Sequence, residues 1–536
     1  MAEDEFDVLI VGGGPAGLCS SIALSRRGVR SLLVEKHAGT APLPKALHLS
    51  SRTMEVLHGW EVDDMLRPLA LPLGDHALFA GSSLADPDHV RHPIWPDNPD
   101  VSRQRSVLIS QEILEPALLA AAEKIRPGEL RFSTRLTDLR EDDGPWEPGV
   151  VARVEGPDGT RTVRAKWVIG ADGADSTVRR VAGIDFPGKD VHRSVNILFR
   201  ADLRTLVSDR RSAFYHVHND IVHTLLAVVD NEWFWRLHVV LGDGETYADY
   251  ADERRQLELV RAAVGVPGLE VELHSCYPWT GSARVASRYR SGRLLLAGDA
   301  AHVNPPSGGL GMNAGIQDVH NLVWKLVAVV RGQADEGLLD TYEQERRPTA
   351  VRTVAEAVRN HEYEEAPALT ERDRRRKHAR RRQDGLVLGH HYTEGAFVPD
   401  GSAAPEVAEP YSDFVPVGRP GHRAPHLWVT WQGRRTSLLD VFAEDRCTLL
   451  VAGPRSDPWA DVLPPATQLI TVGIGAAAVP EQEAEFREIY GLSPGGAVLV
   501  RPDGIVALRM RHRPDTTGAR ASLADAVEAM HLSETG

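Results

Sequence analysis

The sequence predicts an α/β chain of several domains in which a parallel sheet is interrupted by an antiparallel one. The first observation is Asp7-Val-Leu-Ile-Val11, an apolar run of strand formers followed by Gly12-Gly-Gly-Pro-Ala-Gly17 and by helically spaced apolar residues through Leu24. Gly28 closes that helix and Ser31-Leu-Leu-Val-Glu35 supplies a second buried strand, so the opening segment is a βαβ unit with parallel strands. The second observation is that two more apolar strands, ending at Asp172-Gly173 and at Gly298-Asp299, lie far along the chain, which makes this domain discontinuous. The third is a change of texture between Val191 and Tyr289. There Phe214–His218, His223–Val228 and Trp233–Leu241 are short β-rich runs separated by Asp, Asn and Gly turns, as in an inserted antiparallel sheet. The expected boundaries are 1–185 and 291–384 for the two parts of the first domain, 186–290 for the insertion, 385–425 for a linker rich in Gly and Pro, and 426–536 for a last α/β domain. The strands of that last domain are Thr448–Ala452, Gln468–Val472 and Ala497–Gly504.

Size and charge narrow the function classes. A chain of 536 residues exceeds a small binding module, and 42% apolar with 25% charged residues is a globular composition. The net charge of −14 disfavours nucleic acid and anionic membranes and makes a small molecule the expected partner. The basic run Arg372–Arg382 reads as a solvated helix face. Cys19, Cys276 and Cys447 show neither metal-ligand spacing nor a disulfide framework, and the first apolar run is too short for a signal or a spanning helix. The expectation is a cytoplasmic enzyme without metal, as a monomer or homodimer.

The chemistry begins at the first turn. Gly12, Gly14 and Gly17 satisfy GxGxxG, in which glycines let the backbone approach a pyrophosphate and let the helix pack close to the strand. Glu35, 18 positions beyond Gly17, stands where a carboxylate accepts hydrogen bonds from ribose hydroxyls. Strand before, helix after and an acid at this distance specify a dinucleotide, and leave FAD and NAD both open.

Two further motifs narrow the choice. Val168-Ile-Gly-Ala-Asp-Gly-Ala-Asp-Ser-Thr-Val-Arg-Arg180 resembles the DG motif of class A flavoprotein aromatic monooxygenases, and the segment from Gly298-Asp299 through Pro305-Pro-Ser-Gly-Gly-Leu-Gly-Met-Asn313 resembles their GD motif. Pro44-Lys-Ala46, Arg52-Thr-Met-Glu55, Gln111 and Tyr342-Glu-Gln-Glu-Arg-Arg-Pro348 extend the resemblance over most of the first 350 residues. The tail resembles the thioredoxin-like domain of phenol hydroxylases and of actinobacterial hydroxylases of anthracycline- and angucycline-type polyketides. The resemblance implies a Rossmann-like FAD-binding domain, an inserted antiparallel β-sheet substrate domain and a C-terminal thioredoxin-like domain. It implies FAD contacts from Gly12, Gly14, Ala16, Gly17, Glu35, Lys36, Lys45, Gln111, Leu136, Asp172, Gly173, Asp299, Pro306, Gly311, Met312 and Asn313. Asp299 would hold a ribityl hydroxyl. The helix starting near Met312 would turn its N–H groups toward the flavin edge that becomes anionic on reduction, a dipole effect of ~0.3–2 kcal/mol. Arg179 or Arg180 could meet phosphate or form an ordinary ion pair. Two positions depart from the family pattern: Lys45 replaces the usual arginine and loses its bidentate fork, and Leu310 replaces a glutamine.

No second GxGxxG is present, so NADPH or NADH would bind transiently in a shared groove. The family chemistry is addition of O2 to the reduced flavin and attack of the resulting C4a-hydroperoxide on an electron-rich aromatic carbon. The expected activity is therefore hydroxylation of a polycyclic aromatic polyketide. Baeyer–Villiger oxygenation, oxidation of a smaller phenol or an antibiotic, and a flavin-binding protein without turnover are the rivals. Tyr215, His216, His218, His223, Trp233, Trp235 and His238 of the insertion, with Pro305, are the candidates for lining the substrate pocket or for the base that activates a phenol.

Overall fold

The computed structural model describes residues 4–73, 76–125, 128–142, 149–230, 233–365, 382–464 and 467–533; the basic run of the sequence lies almost wholly outside them. The first sheet is parallel where it matters. Strands Leu294–Leu296, Gly159–Gly170, Asp4–Val11, Ser31–Val34 and Glu129–Arg131 lie side by side in that order, all parallel. The antiparallel pair Arg135–Asp142 and Gly149–Gly156 continues from Gly159–Gly170. Val8, Leu9, Ile10, Leu32, Leu33, Val168 and Ile169 are fully buried, as the unbroken apolar runs of a parallel sheet covered on both faces require. At ~1.5–3 kcal/mol for each large apolar side chain removed from water, this layer is the main source of the domain's stability.

The helices Pro15–Arg26 and Gly311–Val330 pack on one another, and glycine makes their approach possible. A Cβ on Gly17 would lie 1.9 Å from the Gly12 carbonyl oxygen, and one on Gly315 would lie 2.9 Å from the Gly298 Cα. The turns after the first strand and after Leu294–Leu296 are thereby pressed together at the carboxyl ends of the parallel strands.

The second sheet has eight strands in the order His302–Val303, Glu272–Val285, Gly188–Arg200, Phe234–Val240, His223–Val228, Phe214–His218, Ala77–Gly81 and Val90–Pro93. It differs from the expected insertion in two respects. Three of its strands come from outside residues 186–290, and Phe214–His218 pairs parallel with Ala77–Gly81, so the sheet is mixed. Neither strand of 77–93 announces itself, since Val90-Arg-His-Pro93 is polar and accessible at the sheet edge. One face of the sheet packs on the amphipathic helix Glu253–Val264 through Val195, Ile197, Phe199, Tyr215, Leu226, Trp235, Leu237, Leu259 and Val260.

A third sheet of seven strands runs in the order Arg434–Ser437, Trp428–Trp431, Ala478–Pro480, Thr467–Val472, Cys447–Ala452, Ala497–Val500 and Val506–Met510, with helices Glu483–Tyr490 and Thr516–Ala529. Cys447 is buried and unpaired as a disulfide. The segment 385–425 is not a loose linker. Leu386, Leu388, Tyr392, Ala396, Phe397, Tyr411 and Ala424 are buried, and Tyr392 and Gly421, like Val398 and Ala507, are joined by backbone hydrogen bonds. Its Gly and Pro content breaks periodicity, whereas its few large apolar side chains are enough to strap it onto both neighbours.

Buried charges join the third sheet to the first domain. Arg501 donates to both oxygens of Glu345 at 2.6 and 2.9 Å and to Asp503 at 2.9 Å, while Lys325 donates to Glu345 at 2.8 Å. Nearby, Arg423 forms a bidentate pair with Glu55, which also accepts from Arg52 at 3.0 Å and from the Ser102 hydroxyl at 2.6 Å. Burial alone would raise the Glu55 carboxyl, but Arg423 and Arg52 outweigh it and hold the group at about 2, below its ordinary 4.5. Its stabilisation is complete above pH 4.5 and is lost as pH falls toward 2, a contribution of about 3 kcal/mol. Glu55→Gln should therefore lower urea stability at pH 7 by roughly that amount and flatten the loss of stability between those two pH values, as measured by denaturant titration at each pH.

Candidate active site

The two pressed turns form the floor of a cleft. The helix Pro15–Arg26 starts at Gly14 and the helix Gly311–Val330 at Leu310; neither start is capped by a side chain, so both leave N–H groups for a ligand. A Cβ added to Gly14 or to Gly173 would meet no atom within 4 Å, so both glycines front open space at the ends of adjacent strands. Glu35 accepts from the Gly13 and His37 N–H groups at 2.7 and 2.8 Å, which fixes its carboxylate beside the turn. Lys36 is exposed beyond it. Ala16 packs against Gly298, where a Cβ would lie 3.0 Å from the Ala16 methyl carbon.

Asp299 occupies the turn between the helix starts. Its side chain is reached by solvent and yet crowded by surrounding protein, and this desolvation raises its carboxyl above the ordinary value, with His302 and Lys45 opposing the rise. A carboxylate placed so is stabilised by donors that a ligand brings. Beneath it, Asp318 accepts from His302 at 2.7 Å, from Arg346 at 2.8 Å and from the Gly298 N–H at 3.3 Å. Burial would raise Asp318, but His302 and Arg346 reverse that and hold it ionised. The Tyr342 hydroxyl donates to the Leu296 carbonyl at 2.7 Å, so the stretch beginning Tyr342-Glu-Gln-Glu-Arg-Arg is the clamp that holds the Asp299 turn.

Several residues predicted to contact FAD use their side chains to hold neighbouring backbone. Asp172 spends its carboxylate on the Ser176 hydroxyl at 2.5 Å and on the Thr177 and Val178 N–H groups at 2.7 and 3.2 Å, thereby fixing the Gly173 turn. Arg179 donates to the Ala300 and Ala174 carbonyls at 2.9 and 2.6 Å and stacks on Phe186, whereas Arg180 pairs with Asp175 at the surface. Asn313 donates to the His48 and Gly309 carbonyls at 2.9 and 2.7 Å and accepts from the Ser50 N–H at 2.9 Å, so its side chain pins the loop. Gln111 accepts from the Ala46 N–H at 3.2 Å and donates to Glu115 at 2.6 Å, which sets the Lys45 segment. Leu136 buries its side chain in the core and leaves only its backbone for a ligand. In the Pro305–Gly311 loop Pro305 is buried and Pro306 exposed, Gly308 and Gly309 take φ of +97° and +63°, and Met312 is half-buried in the first helical turn.

The pocket candidates of the inserted sheet divide by strand parity. Tyr215 and Trp235 are fully buried against the Glu253–Val264 helix, on the far side of the sheet from the cleft; the Tyr215 hydroxyl donates to the Arg210 carbonyl at 3.0 Å and accepts from the Ser212 N–H at 3.0 Å. Both are structural and are withdrawn as pocket residues. His216, His218 and His223 cluster on the hairpin next to Phe234–Val240 and on the face of His238, and Trp233 is 42% exposed with Arg204 stacked over it. His238 projects from the same face as His216, since both pair with Leu225 across the strands, and its own strand carries Arg236, which reaches the Lys45 segment. It shares that face with Asn196, His192, Arg236, Tyr277 and Trp279, none of which sequence reasoning singled out. The alternation of Phe234–Val240 was the available signal, since residues of opposite parity cannot share a face.

The residues fit FAD: two uncapped helix starts for diphosphate and ring edge, an acid for the adenosine ribose, and a crowded accessible carboxylate between them. A sequence profile for the FAD binding domain matches residues 5–357, and one for the C-terminal region of aromatic-ring hydroxylases matches residues 417–530. This chain is an FAD-dependent aromatic-ring monooxygenase. It is 34% identical to the tetracenomycin A2 monooxygenase-dioxygenase of Streptomyces glaucescens, over 100% of this chain and 98% of that one. It is 35% identical to the aklavinone 12-hydroxylase RdmE of Streptomyces purpurascens, over 95% and 96% of the two chains. The crystal structure of aklavinone-11 hydroxylase in a ternary complex with FAD and aklavinone superposes with a TM-score of 0.87 at 34% identity, covering 99% of this chain and 100% of that one. No helix among the described residues is long and apolar enough to cross a membrane.

Three substitutions separate floor from support. Gly17→Ala should yield protein without bound FAD, because the added methyl collides with backbone. Asp299→Ala should fold and lose FAD on gel filtration, with at least a tenfold weaker Kd by flavin fluorescence. Tyr215→Phe should lower thermal stability by about 1 kcal/mol and leave FAD content and substrate KM unchanged.

Proposed function

We propose that this monooxygenase hydroxylates an aromatic ring of a polycyclic polyketide, with FAD bound, NADPH or NADH as transient reductant and O2 as oxidant. The observation that carries the reading is the placement of Asp299 within the influence of Lys45, whose carbonyl is bound by Arg236 of the polar face of the mixed sheet, together with the uncapped start of the Gly311–Val330 helix. Relatives named for aklavinone and tetracenomycin substrates span nearly the whole chain and supply the substrate class. Reduced flavin bound here would activate dioxygen and supply an electrophilic oxygen to an electron-rich ring.

The chain's own residues perform the rest. The N–H groups at Gly311–Asn313 and the charge of Lys45 favour negative charge on the flavin ring edge. Asp299 orients the cofactor chain. Arg236 donates to the Pro44 and Lys45 carbonyls at 3.2 and 3.1 Å, and the Tyr277 hydroxyl donates to Pro44 at 3.3 Å, so the sheet is tied to the flavin domain and restricts water between them. The groove for the nicotinamide would be fronted by Gly173, with the backbone carbonyls of Ala174 and Ala300 bound by Arg179.

The C-terminal unit fits a thioredoxin-like fold. Its centre pairs Thr467–Val472 and Cys447–Ala452 in parallel, followed by antiparallel Ala497–Val500 and Val506–Met510. Cys447 is buried, and desolvation pushes its thiol up to about 12, which disfavours thiol chemistry in this unit.

Purified holoprotein given NADPH, ¹⁸O₂ and a panel of anthracyclinones and angucyclinones should convert at least one of them to a product carrying a single labelled oxygen on a ring carbon, read by mass spectrometry and NMR. Consumption of NADPH and NADH with equimolar peroxide release and no labelled product from any polycycle would overturn this reading.

A further inference from the structure

His238 lies on the polar face of the mixed sheet, in the strand that reaches the flavin domain through Arg236. Along Phe234–Val240, Trp235, Leu237 and Val239 enter the apolar layer over the Glu253–Val264 helix, and His238 projects from the opposite face, partly accessible. Its cross-strand neighbour is Asn196, and its Nδ1 lies 3.0 Å from the Asn196 amide oxygen. The ring is edge-on to Trp279 and to His192, with centroids 6.0 Å away in each case.

The surroundings place this ring over the cleft. On one side, Arg236 and Tyr277 of the same face reach the Pro44 and Lys45 carbonyls. On the other, His192 stacks at 4.4 Å on His361 of the helix Asp340–Glu365. That helix grips the Pro305–Gly311 loop: Asn360 donates to the Ser307 carbonyl at 3.4 Å, and the Ser307 hydroxyl donates to Glu364 at 2.6 Å. His238 therefore stands between the two segments that flank the predicted flavin ring.

We propose that His238 recognises a phenolic hydroxyl of the substrate, accepting its hydrogen at Nε2 while Asn196 holds the ring in the required tautomer. An amide oxygen can only accept, so Nδ1 carries the proton and Nε2 is left with its lone pair. Burial, with Arg236, His192 and His361 as the charged and titratable neighbours, lowers the imidazole to about 3 and keeps it neutral at working pH. Against a tyrosine-like phenol of pKa about 10, such a base is roughly 10⁷-fold too weak to remove the proton. The role is recognition and orientation of the ring to be oxidised; the hydrogen bond leaves the proton on the phenol. This inference rests on the polycyclic-aromatic reading given above and names the group that selects within that class.

The test is a titration of oxidised holoenzyme, followed by perturbation of the flavin absorbance, with a monohydroxyanthraquinone whose hydroxyl is remote from the quinone carbonyls and with its methyl ether. The wild type should bind the phenol roughly tenfold tighter than the ether. His238→Leu should abolish that discrimination by weakening the phenol alone, and His238→Gln, which restores an acceptor, should recover most of it. Asn196→Leu, which frees the tautomer, should give an intermediate loss; together with the Gln variant it decides the matter if the Leu variant fails to fold. Equal weakening of both ligands by His238→Leu, or a wild type that does not discriminate, would overturn the role of His238 alone. A wild type that binds neither polycycle would overturn the substrate reading along with it.

Discussion

The buried carboxylate of Asp318 is the constraint from which the site follows. It accepts simultaneously from a histidine, an arginine and a backbone N–H, and these three donors belong to the Asp299 turn and to the long helix that follows. A carboxylate this deep is tolerable only when its partners are complete, since an unpaired buried charge costs several kcal/mol. The pairing consequently couples cofactor floor and helix clamp. One residue before Arg346, Glu345 repeats the arrangement toward Arg501 and Lys325, so the third sheet is attached to the same helix by buried paired charges. Apolar contact could supply comparable affinity, but it would not fix the relative position of the two units with the same geometric restriction.

A sheet with two chemically different faces solves a second problem. Tyr215, Trp235, Leu237 and Val239 fill an ordinary core, and the alternate residues present imidazole, amide, guanidinium and indole groups to the cleft. Because adjacent residues of a strand point to opposite sides, a polar binding surface is laid over an apolar foundation without either disturbing the other. The same sheet recruits Ala77–Gly81 and Val90–Pro93, which couples the flavin domain to the substrate face through the chain itself.

The phosphate-binding turn, the DG and GD loops and the family were legible because their glycines and acids answer local requirements: a backbone approach of under 3 Å, or a carboxylate beside a helix start. The same loops hid their division of labour. Asp172, Gln111 and Asn313 were read as cofactor contacts, and their side chains are committed to holding backbone in place. The segment 385–425 read as a linker because Gly and Pro erase periodicity, though packing of Tyr392, Phe397 and Tyr411 makes it a strap.

By itself the amino-acid order determined that a dinucleotide is bound and that the insertion is β-rich, since each depends on residues within a turn or two of one another, and the return of strand-end motifs far along the chain determined that the first domain is discontinuous. Only the tertiary structure decided which side of the inserted sheet faces the cleft, which aromatics are core, and which arginine meets which carboxylate. Those outcomes depend on strand register and on the pairing of charges hundreds of residues apart, where a one-residue shift exchanges the buried face for the functional one.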